Sequence, residues 1–221
     1  MNLPEKFVIL LRSTFYLLGL YFIYGFISSL LHTIFPELDT ATYEQGFIME
    51  MLTENPFRAL IMIVVVAPVT EEMMFRSLLR PSHTELVLFI AIWPVFFLLR
   101  FIPLDVYWGL KLAFAAIFLF CVVYISRQVI PPQRTLRIRN WLISHQIWIW
   151  IITSLVFGFV HITNYVDHFT INLALFLLIM PRILAGFMIG WVKINNKKLQ
   201  WAMALHAINN GIAFFFIYVS L

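Results

Sequence analysis

Apolar residues run along this chain in long blocks, and the stretches between the blocks hold most of the charge. A helix that crosses a bilayer needs about 20 consecutive, predominantly apolar residues. Seven blocks meet or approach that length, at about residues 7–31, 57–79, 86–102, 108–126, 143–163, 170–192 and 200–220. The pattern predicts an all-α, polytopic membrane protein of about seven transmembrane helices, with eight as the alternative count. Residues 1–221 read as one integral-membrane domain, with no soluble domain, low-complexity tract or internal repeat.

Composition sharpens this reading. The chain is 62% hydrophobic and 12% charged, whereas soluble domains are about 45–50% apolar and about 25% charged. The net charge of +4 therefore signals basic loops facing the cytoplasm and anionic lipid, not nucleic acid. The single cysteine, Cys121, excludes a disulfide framework and a cysteine-based metal site. Lys6 and the long apolar run after it, with no small-residue cleavage site, read as a retained first span.

Loop charge sets an orientation. Glu37, Asp39, Glu44, Glu50 and Glu54 follow the first block, and Arg76 and Arg80 close the second. Asp105 lies between Arg100 and Lys111. Arg127, Arg134, Arg137 and Arg139 precede the fifth block, Asp167 follows it, and Lys193, Lys197 and Lys198 follow the sixth. This alternation predicts a cytoplasmic N-terminus and an external C-terminus. Pro68 and Pro181 fall inside blocks, where each is expected to kink its helix and free a backbone carbonyl.

Polar residues inside the blocks are costly there and mark a site. They form three clusters: Glu71-Glu72-x-x-x-Arg76, Phe157-x-x-x-His161 with Asn164, and His206-x-x-Asn209-Asn210. Glu72 and Arg76 are i,i+4 neighbours, so they pair on one helix face. Glu71, about 100° away around the helix, is left to face another partner. Phe157 and His161 share a face, as do His206 and Asn210. The signature His-Glu-x-x-His of zinc proteases is absent. Two chemistries remain open. One is zinc held by Glu71, His161 and His206. The other is metal-free hydrolysis, in which Glu71 activates water, His161 orients it, and His206 and Asn210 meet the oxyanion. Counting 1.5 Å per residue puts Glu71 about 9 Å and His206 about 8 Å from the inner face. The same count puts His161 about 20–25 Å from the inner end of its span, which requires the fifth span to start later or to tilt, with Gly158 as a place to kink.

The three motifs in this order resemble the CAAX protease and bacteriocin-processing family of intramembrane endopeptidases, which includes the type II CAAX prenyl endopeptidases and many bacterial Abi proteins. The matching stretches are APVTEEMMFR, SLVFGFVHITN, and Gly186 to Gly211 with GFMIG and LQWAMALHAINNG, together about half the chain. The resemblance implies a membrane-embedded protease in which Glu71 activates water with His161 as its partner. His206 and Asn210 would serve the oxyanion, supported by Glu72, Arg76, Phe157 and Asn164. Family members are described both as metalloproteases and as glutamic proteases, so zinc stays an open cofactor. Two departures stand out. Ser77 replaces the usual glycine, and about 85 residues between Arg76 and His161 imply an inserted helical hairpin over about 86–126.

The leading expectation is thus an endopeptidase that cuts membrane-associated peptides or proteins in a lipid bilayer. A non-catalytic scaffold or bacteriocin-immunity protein of the Abi kind is the alternative. A proton- or metal-coupled transporter predicts repeated halves with matching broken helices, which the sequence lacks. Small size and basic loops point to a bacterial inner membrane.

Overall fold

A first helix runs the full length of the opening apolar block and beyond it. This is α1, Leu3–Ile34, started by a reciprocal cap in which Asn2 Oδ1 accepts from Glu5 N–H and Glu5 Oε2 accepts from Asn2 N–H. The structure is a computed structural model that describes residues 2–35, 38, 40, 43, 46–99, 101–103, 105–166 and 168–221, and of Phe47 only the backbone. Glu37, Asp39, Glu44, Arg100 and Asp167, which the loop-charge argument uses, lie outside the described residues.

The described residues form helices and no strand. After α1 come α2 (Gly46–Glu54), α3 (Pro56–Leu60), α4 (Ala67–Phe75), α5 (His83–Leu99), α6 (Trp108–Val129) and α7 (Pro132–Ser144). They are followed by α8 (Gln146–Val160), α9 (Leu173–Asn196) and α10 (Leu199–Ser220). Five helical segments are long and apolar enough to cross a membrane: Leu3–Ile34, Trp108–Val129, Gln146–Asn164, Leu173–Asn196 and Leu199–Ser220. The apolar helix α5 is shorter, at 17 residues, and the block over 57–79 is helical only to Phe75, with a change of pitch inside it.

That change of pitch has a local cause. Pro68 has no N–H to give and its ring crowds the preceding turn. Residues Ile61–Val66 widen into a π-helix, and the Ala67 N–H donates to Met62 O, five residues back. The Ile63 carbonyl is thereby released, and the Asn210 side-chain amide of α10 donates to it at 2.9 Å. Pro181 acts the same way in α9. It removes the N–H that Leu177 O would accept, and the Tyr24 hydroxyl of α1 donates to that oxygen instead, at 2.5 Å. Each carbonyl freed inside the apolar interior is satisfied by a neighbouring helix, as burial in hydrocarbon requires.

Two helices depart from the expected loops. The acidic stretch after the first block contains α2, whose Met51 and Leu52 are buried against Ala59 and Met62. The basic stretch before the fifth block is α7, with Leu142 and Thr135 buried and Arg134 and Arg137 exposed. Both helices are too short or too charged to register as apolar runs. The fifth span consequently begins at Gln146, not at 143. Lys193, expected in a basic loop, lies within α9 with its side chain fully buried, 2.8 Å from Glu85 Oε1. The same Glu85 oxygen accepts the Leu199 N–H that opens α10. This buried pair ties α5, α9 and α10 at one end of the bundle.

Helices α8 and α9 approach closely because glycines face them. A Cβ on Gly158 would meet Ile183 Cγ1 at 2.1 Å, and one on Gly186 would meet the Ser154 carbonyl oxygen at 2.9 Å. Gly158 thus lies inside an unbroken α8 and serves close packing. Gly186→Ala must move backbone, not a side-chain tip, and is expected to destabilise by about 1–3 kcal/mol. Thermal unfolding in detergent checks this, and an unshifted midpoint would count against the packing argument.

Candidate active site

Glu71 and Glu72 sit side by side on α4 but belong to different environments. Glu72 is fully buried, and its Oε1 lies 2.8 Å from Nδ1 of His206 on α10. Its Oε2 lies 3.5 Å from Nε of Arg76, whose side chain is also fully buried. Arg76 in turn donates through Nη2 to the Gly186 carbonyl at 3.1 Å and stacks over the Phe157 ring at 4.2 Å. Four helices meet in this knot: α4, α8, α9 and α10. A carboxylate, a guanidinium and an imidazole share it, which is how buried charge is tolerated in an apolar bundle.

Glu71 points the other way. Its side chain keeps 27% of its surface accessible, yet Oε2 itself is buried and has no hydrogen-bond partner. Nε2 of His161 lies 3.8 Å from that oxygen, and Nε2 of His206 lies 3.9 Å from it. Both separations exceed a hydrogen bond and suit a bridging water.

The orientation of each imidazole follows from its other nitrogen. At the end of α8 the backbone tightens to a 3₁₀ turn over His161–Asn164, so the His161 N–H turns to Gly158 O. The Phe157 carbonyl is left for the His161 side chain, and Nδ1 donates to it at 2.6 Å. A carbonyl only accepts, so Nδ1 carries the proton and the neutral ring presents the Nε2 lone pair towards Glu71. His206 is fixed by Nδ1–H donating to the Glu72 carboxylate. The Phe157 ring lies against both imidazoles, 4.8 Å from His161 and edge-on to His206 at 5.5 Å.

Asn210 closes a chain of side-chain hydrogen bonds. The Tyr21 hydroxyl donates to Asn209 Oδ1, Asn209 Nδ2 donates to Asn210 Oδ1, and Asn210 Nδ2 donates to the freed Ile63 carbonyl. Asn210 lines a cavity of about 630 Å³ together with Glu71, His161, Asn164 and His206. A second cavity, of about 780 Å³, also reaches Glu71, His161 and Asn164, and is walled by Trp93 and Phe96 of α5 and Phe159 of α8. Glu71 and His161 therefore stand where two cavities meet.

The structure thus brings together Glu71, His161, His206 and Asn210 from three chain segments, with Glu72, Arg76 and Phe157 behind them and Asn164 on the rim. The depth difference that residue counting gave His161 is absent, since its Nε2 is 3.8 Å from Glu71 Oε2. Apolar blocks do not begin at a common level, and α8 starts only after α7 has ended. For zinc, the donor atoms are of the right kind and the backing of each imidazole Nδ1 by an oxygen is what a metal site uses. As they stand, among the described residues no group of three or more His, Cys, Asp or Glu is already disposed to hold a metal ion. Sequence reasoning missed Tyr21 and Arg182, both on the cavity wall. A lone arginine in the middle of the sixth apolar block is as costly as Glu71 and was open to the same argument.

A sequence model of the family described as type II CAAX prenyl endopeptidase Rce1-like matches residues 53–212. That stretch includes every residue of the constellation above except Tyr21. No curated protein and no solved structure matches the chain.

Proposed function

Since this chain belongs to the type II CAAX prenyl endopeptidase Rce1-like family, a family of integral-membrane proteases, we propose that it hydrolyses peptide bonds of membrane-associated substrates with Glu71 as the water-activating base. The observation that carries this is the pair of imidazole Nε2 atoms at 3.8 and 3.9 Å from a buried, unpartnered Glu71 oxygen at the junction of two cavities.

The steps follow from the donors and acceptors. A water between Glu71 Oε2 and His161 Nε2 gives one proton to the carboxylate and is oriented by the imidazole lone pair. Its oxygen adds to the scissile carbonyl carbon. Protonated His206, with Glu72 behind Nδ1, offers Nε2–H to the developing oxyanion. Asn210 offers the amide hydrogen that Ile63 O does not take. Glu71 then passes its proton to the leaving nitrogen as the C–N bond breaks, releasing an acid and an amine. Glu72, Arg76 and Phe157 act by position: they hold His206 and the α8 end in place. These steps are the metal-free version, and no step runs through a metal.

The test is purified protein in proteoliposomes with a library of membrane-tethered peptides. Cleavage that persists with a strong chelator is the expected result. Loss on chelation with recovery on adding zinc would overturn the metal-free version, and no cleavage of any peptide would favour a non-catalytic scaffold.

We also place the N-terminus in the cytoplasm of a bacterial cell and count seven crossings, taking α3–α4 and α5 as short spans. Supporting this, Asn196 Nδ2 donates to Lys6 O, Arg139 Nε donates to Pro81 O, and Lys193 pairs with Glu85. These contacts gather Lys6, Arg80, Arg139, Lys197 and Lys198 at one end of the bundle, the end the positive-inside rule assigns to the cytoplasm.

A further inference from the structure

Arg182 is a charge that the hydrolysis above does not use. It follows Pro181 inside α9, an apolar helix of 24 residues, where an arginine is retained only against a partner, a cavity or a ligand. It stands on the wall of the 630 Å³ cavity that also holds Glu71, His161 and His206. Its guanidinium lies 5.8 Å from the Tyr165 ring centroid. One helical turn further along α9 is Gly186, whose carbonyl binds Arg76. Two arginines thus stand at neighbouring turns of α9, Arg182 on the helix itself and Arg76 reaching it from the end of α4. They differ in kind: Arg76 is sealed in the knot with Glu72, while Arg182 is partly exposed to the cavity. Glu71 feels the charge of Arg182 across the cavity, but among the described residues its close ion-pairing neighbours are His161 and His206, which leaves the guanidinium fork open to a further partner.

From this placement we propose that Arg182 is a specificity residue that pairs with a carboxylate of the substrate, so that the enzyme selects anionic peptides; this rests on the endopeptidase reading above. A planar guanidinium fork matches a carboxylate through two parallel hydrogen bonds. The rest of the wall is largely apolar, with Leu18, Met51, Leu52 and Met62 among its side chains, so the carboxylate is carried on an apolar peptide. Glu71 in the same cavity repels a second negative charge, and Arg182 supplies, apart from the oxyanion donors, a place where an anion is favoured. A peptide has two sources of carboxylate, its free C-terminus and its acidic side chains.

Four tethered peptides of one apolar sequence separate these sources: a free C-terminus, its amide, and the amide with either Glu or Gln near the scissile bond. The parent protein is expected to cleave one carboxylate peptide about 10- to 100-fold better in kcat/KM than its neutral counterpart, chiefly through KM. Arg182→Gln is expected to bring that ratio to about one, and Arg182→Lys to keep part of it. No carboxylate preference in the parent overturns the proposal. So does a preference that survives Arg182→Gln, or equal impairment on all four peptides in both variants. If the parent cleaves none of the peptides, the hydrolytic reading fails and this one is judged by binding alone. Glu71→Gln protein should then bind the carboxylate peptides about 10- to 100-fold more tightly than the neutral ones, and lose that margin when Arg182→Gln is added. Equal binding of all four overturns it.

Discussion

Replacing Glu71 with glutamine is expected to lower peptide hydrolysis by about 10²- to 10⁴-fold, the range a positioned general base supplies. The substitution keeps the shape of the side chain and removes only its ability to take a proton. Its structural cost is small, because Glu71 Oε2 has no hydrogen-bond partner to lose and faces the cavity, not the buried knot. The folded yield and thermal midpoint of Glu71→Gln should therefore stay close to those of the parent while cleavage of tethered peptides collapses. Cleavage at the parental rate would remove Glu71 from the mechanism. A collapse of stability would show that Glu71 holds the bundle together, contrary to its geometry.

Much of this site was legible because polar residues in an apolar chain are expensive and therefore few. The i,i+4 spacing of Glu72 and Arg76 indicated that they would engage each other, and it left Glu71 for partners elsewhere. Pro68 and Pro181 were legible as points where a carbonyl is freed. What spacing does not state is which neighbour takes that carbonyl: Asn210 for Ile63 and Tyr24 for Leu177 are tertiary facts. The π-helix over Ile61–Val66 is similarly a compromise between a proline and the helices around it. The basic segment containing Arg134, Arg137 and Arg139 reads as a loop on hydropathy alone, because its helix α7 buries little more than Thr135 and Leu142. Depth was the least legible property. Residue counts measure distance along each helix, whereas the meeting of His161 with Glu71 depends on where α8 begins and how the helices are offset. Lys193 shows the same limit for charge. It counts as a loop cation in the sequence, but in the fold it is the buried partner of Glu85.

Glu72 is expected to behave as the opposite of its neighbour. Glu72→Ala would leave Arg76 buried without its carboxylate and His206 without the acceptor for Nδ1–H, at two positions that are almost fully excluded from solvent. Breaking a buried ion pair by removing one partner costs about 3–5 kcal/mol, a large share of the 5–15 kcal/mol by which proteins are usually stable. The expected result is a sharply lower thermal midpoint and poor recovery from the membrane. Activity would also be lost in the molecules that fold, since His206 can then turn away from Glu71. Glu72→Gln separates the two effects. It retains an oxygen to accept from His206 but loses the charge that faces Arg76, so it should recover part of the stability and some activity. Glu71→Gln alone should show the reverse pattern, full stability without cleavage. If Glu72→Ala unfolds at the parental temperature, the knot of Glu72, Arg76 and His206 is not what anchors α4 to α10, and the division of labour between the two glutamates fails with it.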